Sequence, residues 1–165
     1  MSWSDLSRRA ALGGLLLALA GCGFTPVMGP SGSGGALRAT IRPVEPDSDL
    51  AFAFVRQFEE RLGRAGDPTW ELVYAIVTTR EALAIDGSNN ITRYNLEGRI
   101  DWSVVPVGGT EPLISGLDRT FTAYAATGST VSTLESERDA ERRLAVILAD
   151  RVVGRLLGEA ALLAR

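Results

Sequence analysis

Histidine and lysine are both missing from this 165-residue chain, and cysteine occurs once. Without histidine there is no Ser-His or Cys-His nucleophile pair. Zinc sites draw on several cysteine and histidine ligands, which the chain does not supply. Without lysine there is neither a Schiff-base amine nor a P-loop. All seventeen basic residues are therefore arginine, against twenty acidic ones, for a net charge of −3. A protein that grips duplex nucleic acid must neutralise many phosphates, so this balance argues against a nucleic-acid partner. Neither catalysis nor a bound cofactor or metal is expected. The hydrophobic fraction of 45% is that of a folded domain, not of a disordered chain.

What is present begins at the N-terminus. Ser7-Arg8-Arg9 supplies positive charge, and residues 10–20 form an uncharged run rich in Leu, Ala and Gly. A basic start, a short apolar core and small residues at its end read as an export signal. The run is about half the length a bilayer span needs. It closes on Leu19-Ala20-Gly21-Cys22, which resembles the lipobox of bacterial lipoproteins. That resemblance implies acylation of the Cys22 thiol and a membrane anchor at the first mature residue. Ser7-Arg8-Arg9 with Leu12 partly resembles a twin-arginine export signal, but Ala11 stands where a bulky residue is usual, which favours general secretion. Residues 23–35 are dense in Gly, Ser and Pro and predict a flexible linker. The expected organisation is a signal over 1–21, a lipid-anchored linker over 22–35 and one domain over 36–165.

Residues 37–44 alternate Leu37, Ala39 and Ile41 against Arg38, Thr40 and Arg42, predicting a short strand ended by Pro43 and Pro46. Asp47, Ser48 or Asp49 can cap the helix that follows. In it Leu50, Phe54, Phe58 and Leu62 recur every four residues, an amphipathic spacing. Gly63, Gly66 and Pro68 end it. Residues 70–85 and 91–105 predict two long strands about the turn sequence Asp86-Gly87-Ser88-Asn89-Asn90. In the second strand Tyr94, Leu96, Ile100, Trp102 and Val104 share one face. Arg93, Asn95, Glu97, Arg99, Asp101 and Ser103 share the other, the pattern of an antiparallel strand with one wet side. Residues 113–125 predict a return strand. Ser132 with Glu135 forms a capping-box pattern before a long helix carrying Ala140, Leu144, Leu148, Val152 and Leu156. The order βαβββα predicts an α+β fold: a four-stranded, mostly antiparallel sheet with two helices packed on one face.

Such a sheet leaves its second face to be accounted for. Residues 72–77 are apolar on both sides, and an exposed apolar patch marks a partner site. Leu72, Tyr74 and Ile76 are the expected partner contacts, with loops or the linker as the alternative cover. Asp86, Ser88, Asn90 and Glu97 fall at calcium-loop positions, but Ile91 stands where glycine is required. A hairpin turn explains them better. Glu97 and Asp101 share a strand face as an acid pair would. Interleaved with Arg93 and Arg99, they read as cross-strand ion pairs.

These residues have a counterpart in a known family. Cys22-Gly23-Phe24-Thr25-Pro26, the βαβββα order and Ile91-Thr92-Arg93-Tyr94-Asn95-Leu96 resemble the LPS-assembly lipoprotein family LptE. Phe121-Thr122-Ala123-Tyr124, Thr127-Gly128-Ser129 and Glu137-Arg138-Asp139-Ala140 look like the form found in alphaproteobacterial members. The resemblance spans the whole mature chain. It implies a periplasm-facing lipoprotein of the outer membrane that plugs and stabilises the LptD β-barrel and binds lipopolysaccharide during delivery. Gly23 after the cysteine fits outer-membrane sorting. Family members use basic residues in this sheet region, which implies Arg93 and Arg119 first, then Arg80 and Arg99, as lipopolysaccharide contacts. Arginine grips phosphates and carboxylates with its planar fork. The rival is a periplasm-facing ligand-binding or inhibitor lipoprotein without a barrel partner, which requires a pocket. A hydrolase using Glu97 and Asp101 requires those carboxylates in a cleft.

Overall fold

Apolar alternation from residue 70 onward builds the sheet, and two helical stripes cover one side of it. The computed structural model describes residue 29 and residues 33–163. The predicted signal, Cys22 and most of the predicted linker lie outside the described residues. A 3-10 helix, Ser33–Leu37, comes first. Strand β1 (Ile41–Pro43) follows, then helix α1 (Asp49–Leu62), strands β2 (Trp70–Ile85), β3 (Ile91–Pro106) and β4 (Ile114–Ala125), helix α2 (Thr130–Gly158) and the single turn α3 (Ala160–Leu163). The sheet runs β1-β2-β3-β4. β1 is parallel to β2, and the other two pairings are antiparallel. The α+β architecture and its βαβββα order are those the sequence predicts.

Two boundaries differ from expectation. Residues 37–40 are not strand: Leu37 ends the 3-10 helix and is buried in the core, and β1 begins only at Ile41. Helix α2 is capped by Ser129, whose hydroxyl accepts from Ser132 N–H at 3.2 Å. It therefore starts a turn before the predicted Ser132 cap. Ser132 instead donates its own hydroxyl to the Ser129 carbonyl at 2.8 Å.

Helix α1 is capped by Ser48, which accepts from Ala51 N–H, and closes at Gly63, whose φ of 84° suits glycine. It buries Ala51, Phe54, Phe58 and Leu62. Helix α2, about 43 Å long at 1.5 Å per residue, buries Leu144, Leu148, Val152 and Leu156 among others. From the sheet these helices meet Leu72, Leu96, Ile100, Trp102, Val104 and Tyr124. Glycine 98 makes room for the closest approach. A Cβ there would stand 2.6 Å from Leu144 Cδ2.

One charge lies inside this layer. Asp118 is 5% exposed. It accepts from Trp102 Nε1 at 3.0 Å and from Arg155 Nε at 2.9 Å, so one carboxylate ties β3, β4 and the far half of α2 together.

Candidate functional site

Register fixes which side chains share each face. Tyr74, Trp102 and Gly116 form one row across β2, β3 and β4, and Ile76, Ile100 and Asp118 form the next. Both rows face the helices. The rows between them face away: Val73–Ser103–Ser115, Ala75–Asp101–Leu117, Val77–Arg99–Arg119 and Thr79–Glu97–Phe121.

The expected partner contacts Leu72, Tyr74 and Ile76 therefore lie on the covered side. Leu72 is fully buried, and Tyr74 and Ile76 pack half-buried against the core. Tyr74 lies against Phe54, with ring centroids 4.8 Å apart, and burial, then the charge of Asp47, pushes its hydroxyl up to about 12. These residues form the core seam of β2, not an open surface. Across the middle of the sheet the exposed apolar side chains are Val73, Val77, Leu117 and Phe121, the last 68% exposed, and toward the β2–β3 turn Leu83 and Ile85 are exposed as well. A sequence signal for them existed. Folding residues 70–85 back about the 86–90 turn aligns even positions with the even, apolar face of β3 and leaves Val73 and Val77 outside.

The four nominated arginines do not form one site. Arg80 projects on the helix side, donating to Glu137 at 2.9 Å with its guanidinium 5.0 Å from the Tyr94 ring centroid. It clamps the first half of α2 to the sheet. Arg93 faces the open side but lies six residues along β3 from Arg99, about 20 Å at strand rise. Arg99 and Arg119 are direct cross-strand partners. Arg99 is ion-paired with Asp101 at 2.9 Å. Among the described residues Arg119 has no ion pair. Like charges directly opposite one another destabilise a sheet; Asp101 offsets this at Arg99, which leaves Arg119 as the guanidinium open to an outside anion. Beside it a shallow trough crosses the strands, lined by Val73, Ala75, Asp101, Ser103, Ser115 and Leu117. Apolar surface next to paired guanidiniums suits an amphiphile with an anionic head.

Other sequence candidates resolve by geometry. Asp86 accepts from Ser88 N–H at 2.8 Å and Asn90 N–H at 2.9 Å, so its carboxylate closes the β2–β3 turn. Those bonds, Asn90's first, hold it below the usual carboxylate range. Asp101 is engaged by Arg99, and Glu97 stands exposed in a row between Thr79 and Phe121. A cleft of about 240 Å³ lies between α1 and α2, lined by Phe52, Ala53, Arg56, Glu141 and Arg142 among others. Burial, then the charge of Glu137, raises the Glu141 carboxyl. This cleft is below the ~300 Å³ at which small-molecule sites begin.

Known structures share this fold. A protein described as a lipoprotein from Caulobacter crescentus CB15 superposes with a TM-score of 0.64 at 18% identity, covering 78% of this chain and 95% of that one. Rare lipoprotein B of Shewanella oneidensis gives 0.55 at 13% identity, with 76% and 98% covered. A minor lipoprotein of Acinetobacter baumannii gives 0.54 at 13% identity, with 72% and 89% covered. At these identities the likeness is one of fold. No curated protein matches the sequence. The family model described as "LptE: Lipopolysaccharide-assembly" matches residues 38–156, and the chain belongs to that lipopolysaccharide-assembly family.

Proposed function

We propose that this protein is an outer-membrane lipoprotein, anchored through acylated Cys22 and facing the periplasm. It plugs an LptD-like β-barrel and holds lipopolysaccharide during its assembly into the outer leaflet. The match of residues 38–156 to a lipopolysaccharide-assembly family carries this reading. The sheet supports it. One face is sealed by α1 and α2, while among the described residues nothing covers the other, with Val73, Val77, Leu117 and Phe121 exposed and Arg99 beside Arg119. A barrel wall supplies apolar partners for the first set. The phosphates of lipopolysaccharide supply the anion for the second. Arg93, farther along the same face, is a second phosphate contact. Arg80 is occupied by Glu137 and serves structure.

The deciding experiment is a pull-down of tagged full-length protein from detergent-solubilised envelopes. Stoichiometric recovery of one large outer-membrane β-barrel is expected, and Val77→Asp or Phe121→Asp should reduce it. Recovery of the lipoprotein alone, under conditions that keep other envelope complexes intact, would overturn the plug.

A further inference from the structure

Strand β2 has an outer edge that β1 hardly covers. β1 pairs with it only from Ile41↔Trp70 to Pro43↔Leu72, yet β2 continues to Ile85. Odd-numbered residues turn their N–H and C=O toward β3, as the Val107 N–H to Thr69 C=O bond shows. Even-numbered residues turn theirs the other way. Trp70 N–H donates to the Thr40 carbonyl, and the Leu72 carbonyl accepts from Val44 N–H. Beyond Leu72, the backbone groups of Tyr74, Ile76, Thr78 and Arg80 point to the β1 side, where the sheet has no further strand among the described residues. Their stretch of the chain, residues 72–79, contains no charge, glycine or proline and is rich in β-branched residues. An uncharged, β-prone segment on an unpaired edge is a template for strand addition. The other outer strand is guarded: β4 carries Asp118 and Arg119, and Arg143 Nη2 caps the Ala123 carbonyl at 3.3 Å.

We propose that the β2 edge pairs antiparallel with the β2 edge of a second copy of this chain, about a two-fold axis at Val77. The edge is its own complement in that register. Tyr74 faces Arg80 and Ile76 faces Thr78, so all four open residues of each copy are paired, in about eight backbone hydrogen bonds. Val73 faces Glu81 and Ala75 faces Thr79, so no like charges meet. Centring on Ile76 sets Glu71 against Glu81, and centring on Arg80 sets two arginines together, both unfavourable. The two sheets merge into one, and Val73 and Val77 of both copies form a continuous apolar strip. This pairing shares Val73 and Val77 with the proposed barrel contact, so it describes copies outside the barrel; it joins them along the β2 edge, two strands away from Arg119 on β4.

Cysteine cross-linking of the full-length protein in its own envelope tests it. Val77 is 59% exposed, so Val77→Cys should fold. On the axis its row is a non-hydrogen-bonded one with Cα atoms about 4.5 Å apart, within reach of a disulfide. Under mild oxidation, Val77→Cys is expected to run as a dimer on non-reducing gels several-fold more than wild type, whose one cysteine, Cys22, is blocked when acylated. Thr79→Cys, displaced about 13 Å along the strand from its copy, should stay at the wild-type level. The double variant Ala75→Cys/Thr79→Cys links across the same axis. Thr78→Pro removes an edge-facing N–H while sparing the β2–β3 ladder and should abolish the Val77→Cys dimer. Absence of the dimer in both Val77→Cys and the double variant overturns the proposal. So does equal linking at positions 77 and 79, or linking to a protein of different mass.

Discussion

Gly98 lies directly beneath Leu144, with no room between them for a methyl group. A Cβ on residue 98 would stand 2.6 Å from Leu144 Cδ2 and 2.9 Å from its Cγ, and Leu144 is fully buried. The pair sets how close α2 lies to the centre of the sheet. Gly98→Ala is expected to destabilise the protein by about 1–3 kcal/mol, the range for overpacking a filled core. Leu144→Ala should itself cost about 2–5 kcal/mol. In that background Gly98→Ala should cost less, because the clash is gone. Urea denaturation of the double-mutant cycle reads the coupling. Strictly additive losses would show that the contact does not set the spacing.

Asp118 supplies a second, polar tie. Replacing it with alanine leaves the buried Trp102 N–H without a partner and frees Arg155. Because Asp118 is 5% exposed and Arg155 about half exposed, the loss should be about 2–4 kcal/mol. Asp118→Asn keeps an oxygen for Trp102 but turns an NH2 donor toward Arg155, losing both the charge and the hydrogen bond there, so it should still lose less than alanine, which forfeits both contacts. Chemical denaturation followed by Trp fluorescence compares the two. Equal losses would place the value of Asp118 in its contact with Arg155, not in the indole bond.

How much of this was legible follows from what each residue's signal depends on. β3 announces itself because its two faces differ in polarity at every step, and the 86–90 turn fixes its partner. β2 is apolar on both sides, so its own composition gives no sidedness. Only its register against β3 tells that Leu72, Tyr74 and Ile76 go inside. Leu37 reads as strand because a buried residue of a 3-10 turn and an inward strand residue look alike in a window of four. The cap of α2 is ambiguous in the sequence because Ser129 and Ser132 each suit an N-cap. Asp118 has no local signature. A carboxylate at an inward strand position makes sense only when Arg155, thirty-seven residues later, folds back over it. The arginines were legible as a group, but which of them stand side by side is a property of pairing between strands.

Tyr74 makes stability fall at alkaline pH. Its hydroxyl is pushed up to about 12, by burial and then by Asp47, whereas an unfolded tyrosine ionises near 10. The folded state therefore prefers the neutral form. This contribution is fully present below about pH 10 and is lost as pH rises toward 12. Tyr74→Phe keeps the ring against Phe54 and gives up a 3.4 Å hydrogen bond to the Val44 carbonyl, so at neutral pH it should cost less than about 1 kcal/mol. Above pH 10 its stability should decline less steeply than that of wild type. The phenolate absorbance titration should lose the step near pH 12. Persistence of that step in Tyr74→Phe would assign it to another tyrosine.

The Arg99–Arg119 row makes a prediction separable from stability. Both guanidiniums stand on the open face, Arg99 held by Asp101 and Arg119 with no ion pair among the described residues, and a phosphate can bridge the two. A charge-assisted hydrogen bond contributes about 1.5–3 kcal/mol, so Arg99→Ala and Arg119→Ala should each weaken lipopolysaccharide binding roughly tenfold or more. Both should leave the folded domain intact, since neither side chain is buried. Arg119→Lys keeps the charge but loses the fork, and should fall between wild type and alanine. Arg80→Ala breaks a half-exposed ion pair with Glu137, so it should cost about 1 kcal/mol or less and leave lipopolysaccharide affinity unchanged. Titrating mature protein with lipopolysaccharide, and with the same lipid after removal of its phosphates, separates the effects. Dephosphorylation should erase the difference between wild type and the Arg99 and Arg119 variants. Loss of affinity in Arg80→Ala equal to that in Arg119→Ala would move the anion to the helix side of the sheet, beside Tyr94 and Glu137.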